Sequence, residues 1–345
     1  MAGTWTTQNK VLPGAYVNFL TNTPLSITPG DSGIVILLQE MSVGNAGDMY
    51  AVSASDKSEY PDGVKDTEKL LANEALKGAK TVIVYNLGTS HTDTVLNTAL
   101  ETLKTVEFNT LCYPYETEAN QQVISTWVKS MRNDDGVKIQ AVLSNYAADS
   151  EAVINVVQGI KLSDETTLTA AQTTAWVAGI TAGANINQSN TGKTYLGAID
   201  VVPRMTKTEM EAAITEGKFV LKVDSSQNVS AVYDINSLTT YTTEKSNLFR
   251  KNKFIRTIDG INNDIVEIFE SNYVGKINND DDGRALLRAY LIDYFNTVQD
   301  LSAIRKFSAN DITVSAGSDS DAVVISCNIQ PVDSAEKIYI TVNLA

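Results

Sequence analysis

The chain has 345 residues, 43% of them hydrophobic, with 41 acids against 27 lysines and arginines and a net charge of −14. Such a length allows about two domains with a sizeable core, and the acidity disfavours non-specific attraction to nucleic acid or anionic lipid. No apolar run is long enough for a membrane span, MAGTWTTQNK lacks a signal-peptide pattern, and Cys112 and Cys327, the only cysteines, argue against a disulfide framework.

Residues 1–22 are polar and punctuated by Pro13-Gly14 and, just beyond, Pro24. Within them Ala15, Val17 and Phe19 alternate with Tyr16, Asn18 and Leu20, which predicts an extended arm carrying one short strand at 12–20. Residues 23–245 read as an α/β body. After the strand IVILL at 34–38, helices are predicted near 64–78, 92–107 and 117–132, alternating with strands at 81–87, 109–115 and 138–144. That alternation implies βαβ units around a largely parallel sheet. A strand near 152–157, helices near 169–183 and 206–216, and a hairpin at 219–235 complete the body.

Composition shifts near 244, where KSNLFRKNKFIR places Lys245, Arg250, Lys251, Lys253 and Arg256 together without a carboxylate. Helices near 254–272 and 283–302 and strands near 312–316 and 321–330 predict a second, α+β domain over 246–335. The second helix puts Leu287, Tyr290, Leu291, Tyr294, Val298 and Leu301 on one stripe, a core face at 3.6-residue spacing. Arg284 and Arg288 flank that stripe near the helix start, where the dipole opposes cations. They are offset either by Asp281 and Asp282 or by an acidic partner surface.

The segment 336–345, EKIYITVNLA, alternates Ile338, Ile340, Val342 and Leu344 with Tyr339, Thr341 and Asn343. This is the pattern of a half-buried strand. Neither it nor 12–20 has a local hairpin partner, so both are expected to add to sheet edges of neighbouring subunits, an open-ended exchange that builds a helical polymer. Pairing of the two ends within one molecule is the alternative.

Catalytic motifs fail on inspection. TGKT at 191–194 lacks the glycine of a phosphate loop, since Asn187 stands in its place, and reads as a surface turn. NNDDDG at 278–283 begins like a calcium loop, but the twelfth position is Ala289, so Asp281 and Asp282 are expected to cap a helix. His91, the only histidine, has no nucleophile elbow or zinc spacing near it and is expected at an exposed helix terminus. No cofactor, metal or catalytic set is predicted. The remaining readings are a structural polymer, an α/β enzyme or small-ligand binder resting on the alternation alone, and a secreted fibre subunit, which the missing signal peptide disfavours.

The run FRKNKFIRTIDGINNDIVEIFESNYVGKINNDDDGRALLRAYLIDYFNTVQDLSAI, with NIQPVDSAEKIYITV at 328–342, LPGAYVNF near the start and DINSLTTYT at 234–242, resembles the contractile tail sheath proteins of phages and phage-tail-like R-type bacteriocins. The likeness is closest to the short sheaths of Gram-positive prophages. It implies hexameric rings stacked around an inner tail tube, with baseplate and terminator proteins at the ends and no role for nucleic acid or membrane insertion. The implied course is assembly in the bacterial cytoplasm, then service in the tail of a released particle. It implies donated arms at Ala15, Tyr16, Val17, Asn18 and Phe19 and at Ile338, Tyr339, Ile340, Thr341 and Val342. Arg284 and Arg288 fall where related sheaths touch the tube, with Lys251, Lys253 and Arg256 as second candidates. The resemblance also implies a contraction that needs no nucleotide, in which a metastable sheath shortens and drives the tube through the target envelope.

Overall fold

The computed structural model describes residues 33–53 and 60–342, so the expected N-terminal arm, with Ala15, Tyr16, Val17, Asn18 and Phe19, lies outside the described residues, as does Leu344. The body opens with β1 (Ile34–Gln39) and β2 (Met49–Ser53), followed by α1 (Asp66–Leu76), β3 (Thr81–Asn86), α2 (Asp93–Leu103), β4 (Thr110–Cys112), α3 (Glu118–Asn133), β5 (Gln140–Ser144) and β6 (Val153–Val156). Then come β7 (Gly159–Leu162), β8 (Thr167–Leu168), α4 (Ala170–Ala182), β9 (Ala198–Val202), α5 (Lys207–Thr215), β10 (Lys218–Phe219), β11 (Leu221–Val223) and β12 (Val229–Ala231).

The principal sheet has the order β10-β6-β5-β4-β1-β3-β2, parallel throughout except for β2. Parallel strands are covered on both faces and therefore read as continuous apolar runs, which is why IVILLQ of β1 does not alternate. Val35 and Leu37 point into one core with α1 and α4, while Ile36 and Leu38 point into another with α2 and α3. Two small antiparallel sheets, β8-β7-β9 and β11-β12, extend the α4 side.

Helix α4 is the most enclosed. Thr169 caps it, its hydroxyl accepting from Gln172 N while the Gln172 side chain accepts from Thr169 N. Its AAQTTAWVAGITA sequence is apolar around nearly the whole circumference, as burial on all sides requires. It crosses α1 at a separation only glycine permits: a Cβ on Gly179 would lie 2.0 Å from the Ala75 carbonyl oxygen.

The second unit contains α6 (Asn252–Asn272), α7 (Asp281–Asp300) and the hairpin β13 (Ile312–Ala316) and β14 (Val323–Cys327). Asp280, rather than Asp281 or Asp282, caps α7, its carboxylate accepting from Gly283 N at 2.8 Å. The core includes Ile261, Ile268, Leu287, Leu291, Tyr294, Phe295, Val298 and Ile312. Two members of the expected stripe fall outside it. Tyr290 is exposed and packs edge-on against Tyr273, and Leu301 lies past the helix end. Phe295, one residue round the helix, takes up the burial instead.

Polar contacts fasten α6 to the body. Arg132 on α3 donates to both oxygens of Asp259 at 2.6 and 2.8 Å, and Arg256 donates to the carbonyls of Thr181 and Gln188. Thr257 donates to Ile186 O, and Asn262 and Asn263 to the carbonyls of Gly136 and Lys138.

Candidate assembly surface and the root of the C-terminal segment

The expected strand at 336–344 is not formed over its described part. Residues 337–342 join no ladder, and Ile338, Tyr339, Ile340 and Val342 are 77, 90, 79 and 75% exposed. A strand exists only when an edge receives its hydrogen bonds, and no edge of the described chain reaches this segment. Exposing three aliphatic side chains and a tyrosine in a row marks an interaction surface. Close by in sequence, β13 and β14 form a two-stranded sheet whose outer edges are both unpaired among the described residues. One face of that hairpin, through Ile312, Val314, Val323 and Ile325, is packed on the helices, while Thr313, Ser315 and Val324 face outward.

From 328 to 336 exposed and half-buried residues interleave, and beyond Glu336 every described residue is exposed. The Glu336 side chain is 10% exposed and accepts from Ser189 Oγ at 2.9 Å, Thr191 Oγ1 at 2.8 Å and Lys251 Nζ at 2.9 Å. Lys251 Nζ also meets Asp333 at 2.5 Å and lies 5.6 Å from the Tyr233 ring centre. Lys253 Nζ donates to Ser334 Oγ at 3.1 Å. Burial works against the Lys251 charge, but the hydrogen bonds to Asp333 and Glu336 outweigh it and hold its pKa above the usual lysine range. Lys253 is lowered, chiefly by burial, with the same two carboxylates opposing.

The five basic candidates are therefore not free cations. Lys251, Lys253 and Arg256 are turned inward, the first two onto residues 333–336 and the third into the joint with the body, because a buried charge must find partners. Arg284 donates to Asn279 O and Oδ1 at 3.0 and 2.8 Å and pairs with Asp281, the bland offset that its position allowed. Arg288 donates to the carbonyls of Ile312 and Ala309, tying α7 to the hairpin. The exposed side of α7 instead carries Asp282, Ala285, Leu286, Ala289 and Asp293. Sequence reasoning missed Ser189, Thr191 and Glu336, whose contacts span about 145 residues of chain. TGKT is a turn, as expected, and its Thr191 holds the C-terminal segment.

In an open α/β sheet a ligand binds where strand order reverses, beyond the carboxyl ends of the strands. Here that place, between β3 and β4 on either side of β1, is filled. His91 is not exposed as expected: its side chain is 7% exposed, with Nδ1 at 2.8 Å from Glu40 Oε1 and Nε2 at 2.9 Å from Tyr113 Oη. Asn120 donates to the same phenol, and Glu40 N donates to Tyr115 Oη. Loops that follow β1, β3 and β4 converge on the ring and bury it. Among the described residues, no helix is long and apolar enough to cross a membrane.

Residues 72–237 match the central domain of phage tail sheath proteins, residues 244–345 match the C-terminal domain of those proteins, and residues 32–87 match the N-terminal region of domain III of the tail sheath protein Gp18. A crystal structure of the sheath tail protein from Desulfitobacterium hafniense superposes with a TM-score of 0.83 at 34% identity, covering 95% of this chain and 99% of that one. The chain belongs to the phage tail sheath family. This is a family of structural proteins, so the enzyme reading falls away. The likeness to Gram-positive prophage sheaths also holds. The phage-like element PBSX protein XkdK of Bacillus subtilis is 36% identical over 254 residues, 71% of this chain and 54% of that protein. The chain thus spans about half the length of that relative. At 14% identity, the helical sheath of the anti-feeding prophage in its contracted state shares the fold, with a TM-score of 0.75 over 97% of this chain and all of that one.

Proposed function

We propose that the chain is the subunit of a contractile tail sheath, polymerising as stacked hexameric rings around an inner tube and shortening to drive that tube through a target envelope. The supporting observation is that one chain carries both an exposed apolar segment, 337–342, and a hairpin with no strand on either outer edge among the described residues. Each needs what the other offers. In this reading Ile338, Tyr339, Ile340, Thr341 and Val342 are donated to a neighbour, and Ala15, Tyr16, Val17, Asn18 and Phe19 form the matching arm at the other end. Residues 23–245 are the body, 246–335 the core, and 1–22 and 336–345 the arms.

The tube, a baseplate and a terminator are the other partners, with assembly in the bacterial cytoplasm before release in a phage or bacteriocin tail. Tube contact through Arg284 and Arg288 requires them to leave or share their present partners. Extended linkers let bodies rotate and move outward while the donated strands stay engaged.

Negative-stain electron microscopy of the purified chain, alone and with its tube protein, tests this. Striated hollow cylinders are expected. Uniform small particles in both preparations would overturn it. A chain lacking residues 1–20 is expected to stay folded and form no ordered sheath, and normal polymerisation would remove the N-terminal arm from the scheme.

A further inference from the structure

The segment that leaves the molecule at 337 is held at its root by a cluster drawn from three parts of the chain. Ser189 and Thr191 come from the loop after α4, Lys251 and Lys253 from the start of α6, and Asp333, Ser334 and Glu336 from the segment itself. Upstream, Val332 N donates to Ala303 O and Arg305 N to Gln330 O, so the chain is fastened continuously from 330 to 336. Beyond Glu336 every described residue is exposed.

We infer that Glu336 is a positioning residue: with Lys251, Ser189 and Thr191 it clamps the root of the C-terminal segment to the body, so that the segment pivots at the 336–337 link. This rests on the sheath reading and deepens it. The six described residues beyond the clamp, 337–342, reach about 20 Å when extended. A strand of that reach finds a neighbour's edge in register only if its origin is fixed. Without the clamp the nearest ties upstream are the backbone bonds at Val332 and Gln330, so ten described residues rather than six would search, and the body's orientation would reach the neighbour through a longer link.

The polar character of the clamp fits that task. A nearly buried carboxylate holding three donors resists sliding by one residue, because any shift strands both Glu336 and the Lys251 ammonium without partners. An apolar contact would tolerate such slippage. Lys251 bridges Asp333 and Glu336, so the segment is gripped at two points three residues apart.

A nitroxide label distinguishes root from arm. In chains carrying Cys327→Ser, with Cys112 buried, one label is placed through Ala335→Cys and another, in a separate chain, through Tyr339→Cys. A motionally restricted spectrum is expected at 335 and a fast one at 339. Glu336→Gln combined with Lys251→Met is expected to raise the mobility at 335 to that at 339 and to cut sheath yield on tubes at least tenfold. Ser189→Ala with Thr191→Val leaves the charges paired and guards against misfolding, with an intermediate mobility expected. Equal mobility at 335 and 339 in the starting chain would overturn the clamp. Normal sheath yield and length from a variant whose root is released would overturn its positioning role. If the starting chain itself forms no sheath, the sheath reading fails and takes the positioning role with it, while the spectra still decide the clamp.

Discussion

Arg132 on α3 and Asp259 on α6 form a two-pronged ion pair, with Nη1 and Nη2 at 2.6 and 2.8 Å from the two carboxylate oxygens and Nη1 also bonded to Ile139 O. Both side chains are nearly enclosed. Burial opposes both charges, and each offsets the cost for the other. Asp259→Ala leaves a buried guanidinium without its counter-ion and is expected to cost about 3–5 kcal/mol. Arg132→Met with Asp259→Leu is expected to recover most of that. Denaturant unfolding of the three chains checks it, and equal losses in the single and double variants would show that the pair is not the source.

Gly179 has no room for a methyl group. The obstacle is the Ala75 carbonyl, and Gly78 on the other side of the crossing is equally tight against Ile180 N, at 2.5 Å from an added Cβ. Gly179→Ala is expected to push α1 from α4 and destabilise the body by about 1–3 kcal/mol or more. Alanine is otherwise the better helix former by about 1 kcal/mol, so a rise in melting temperature would refute the close crossing.

Asp149 supplies a pH dependence with a definite sign. Partial burial pushes its carboxyl up, but hydrogen bonds from Thr240 and Thr239 outweigh this and bring it down to about 2 from 3.8. A lowered pKa in the folded chain means stabilisation that is present above about pH 4 and lost as pH falls towards 2. Because the group is open to water the effect is small, at most about 1 kcal/mol. Asp149→Asn is expected to lower the melting temperature at pH 7 and to differ less from the starting chain at pH 3. An undiminished difference at pH 3 would contradict it.

Arg288 gives a caution about charge reversal. Its guanidinium serves the Ile312 and Ala309 carbonyls, so Arg288→Glu is expected to loosen the α7–hairpin contact by about 1–3 kcal/mol. Loss of assembly in that variant alone says nothing about a tube. Ile338→Asp with Ile340→Asp, on largely solvated side chains, is expected to leave stability within about 0.5 kcal/mol and to abolish sheaths. Calorimetry on each chain, read beside its micrographs, separates the two effects.

The sequence made the repeating elements legible because the apolar pattern of each is local: α3 was expected at 117–132 and spans Glu118–Asn133, and β13 was expected at 312–316 and lies there. Strand β9 and the short β7–β8 pair went unread, for β9 carries Asp200 in a five-residue strand and gives little period to detect. The destinations of the basic residues were equally hidden. Lys251 finds Asp333 and Glu336 more than 80 positions away, a meeting created by the packing of α6 and invisible in the spacing of KSNLFRKNKFIR. The alternation at 336–344 predicts a strand that the described residues do not form on their own. That it has no edge within its own described chain became visible only with the fold.

The strand order carries a consequence for synthesis. β1, at the heart of the sheet, precedes its neighbours in the chain, and strands are then added on either side until β6, so six of the seven strands are available to pair once residue 156 has emerged. Helix α4, which roofs one of its faces, has not yet emerged, and the β6 edge stays bare until Lys218–Phe219 arrives. At ordinary ribosomal speeds that leaves a window of several seconds in which one sheet face, covered by α1 alone, is expected to be partly open to solvent. A nascent chain arrested with β6 outside the ribosome and α4 still within it is therefore expected to be the species most prone to aggregate and most helped by a chaperone.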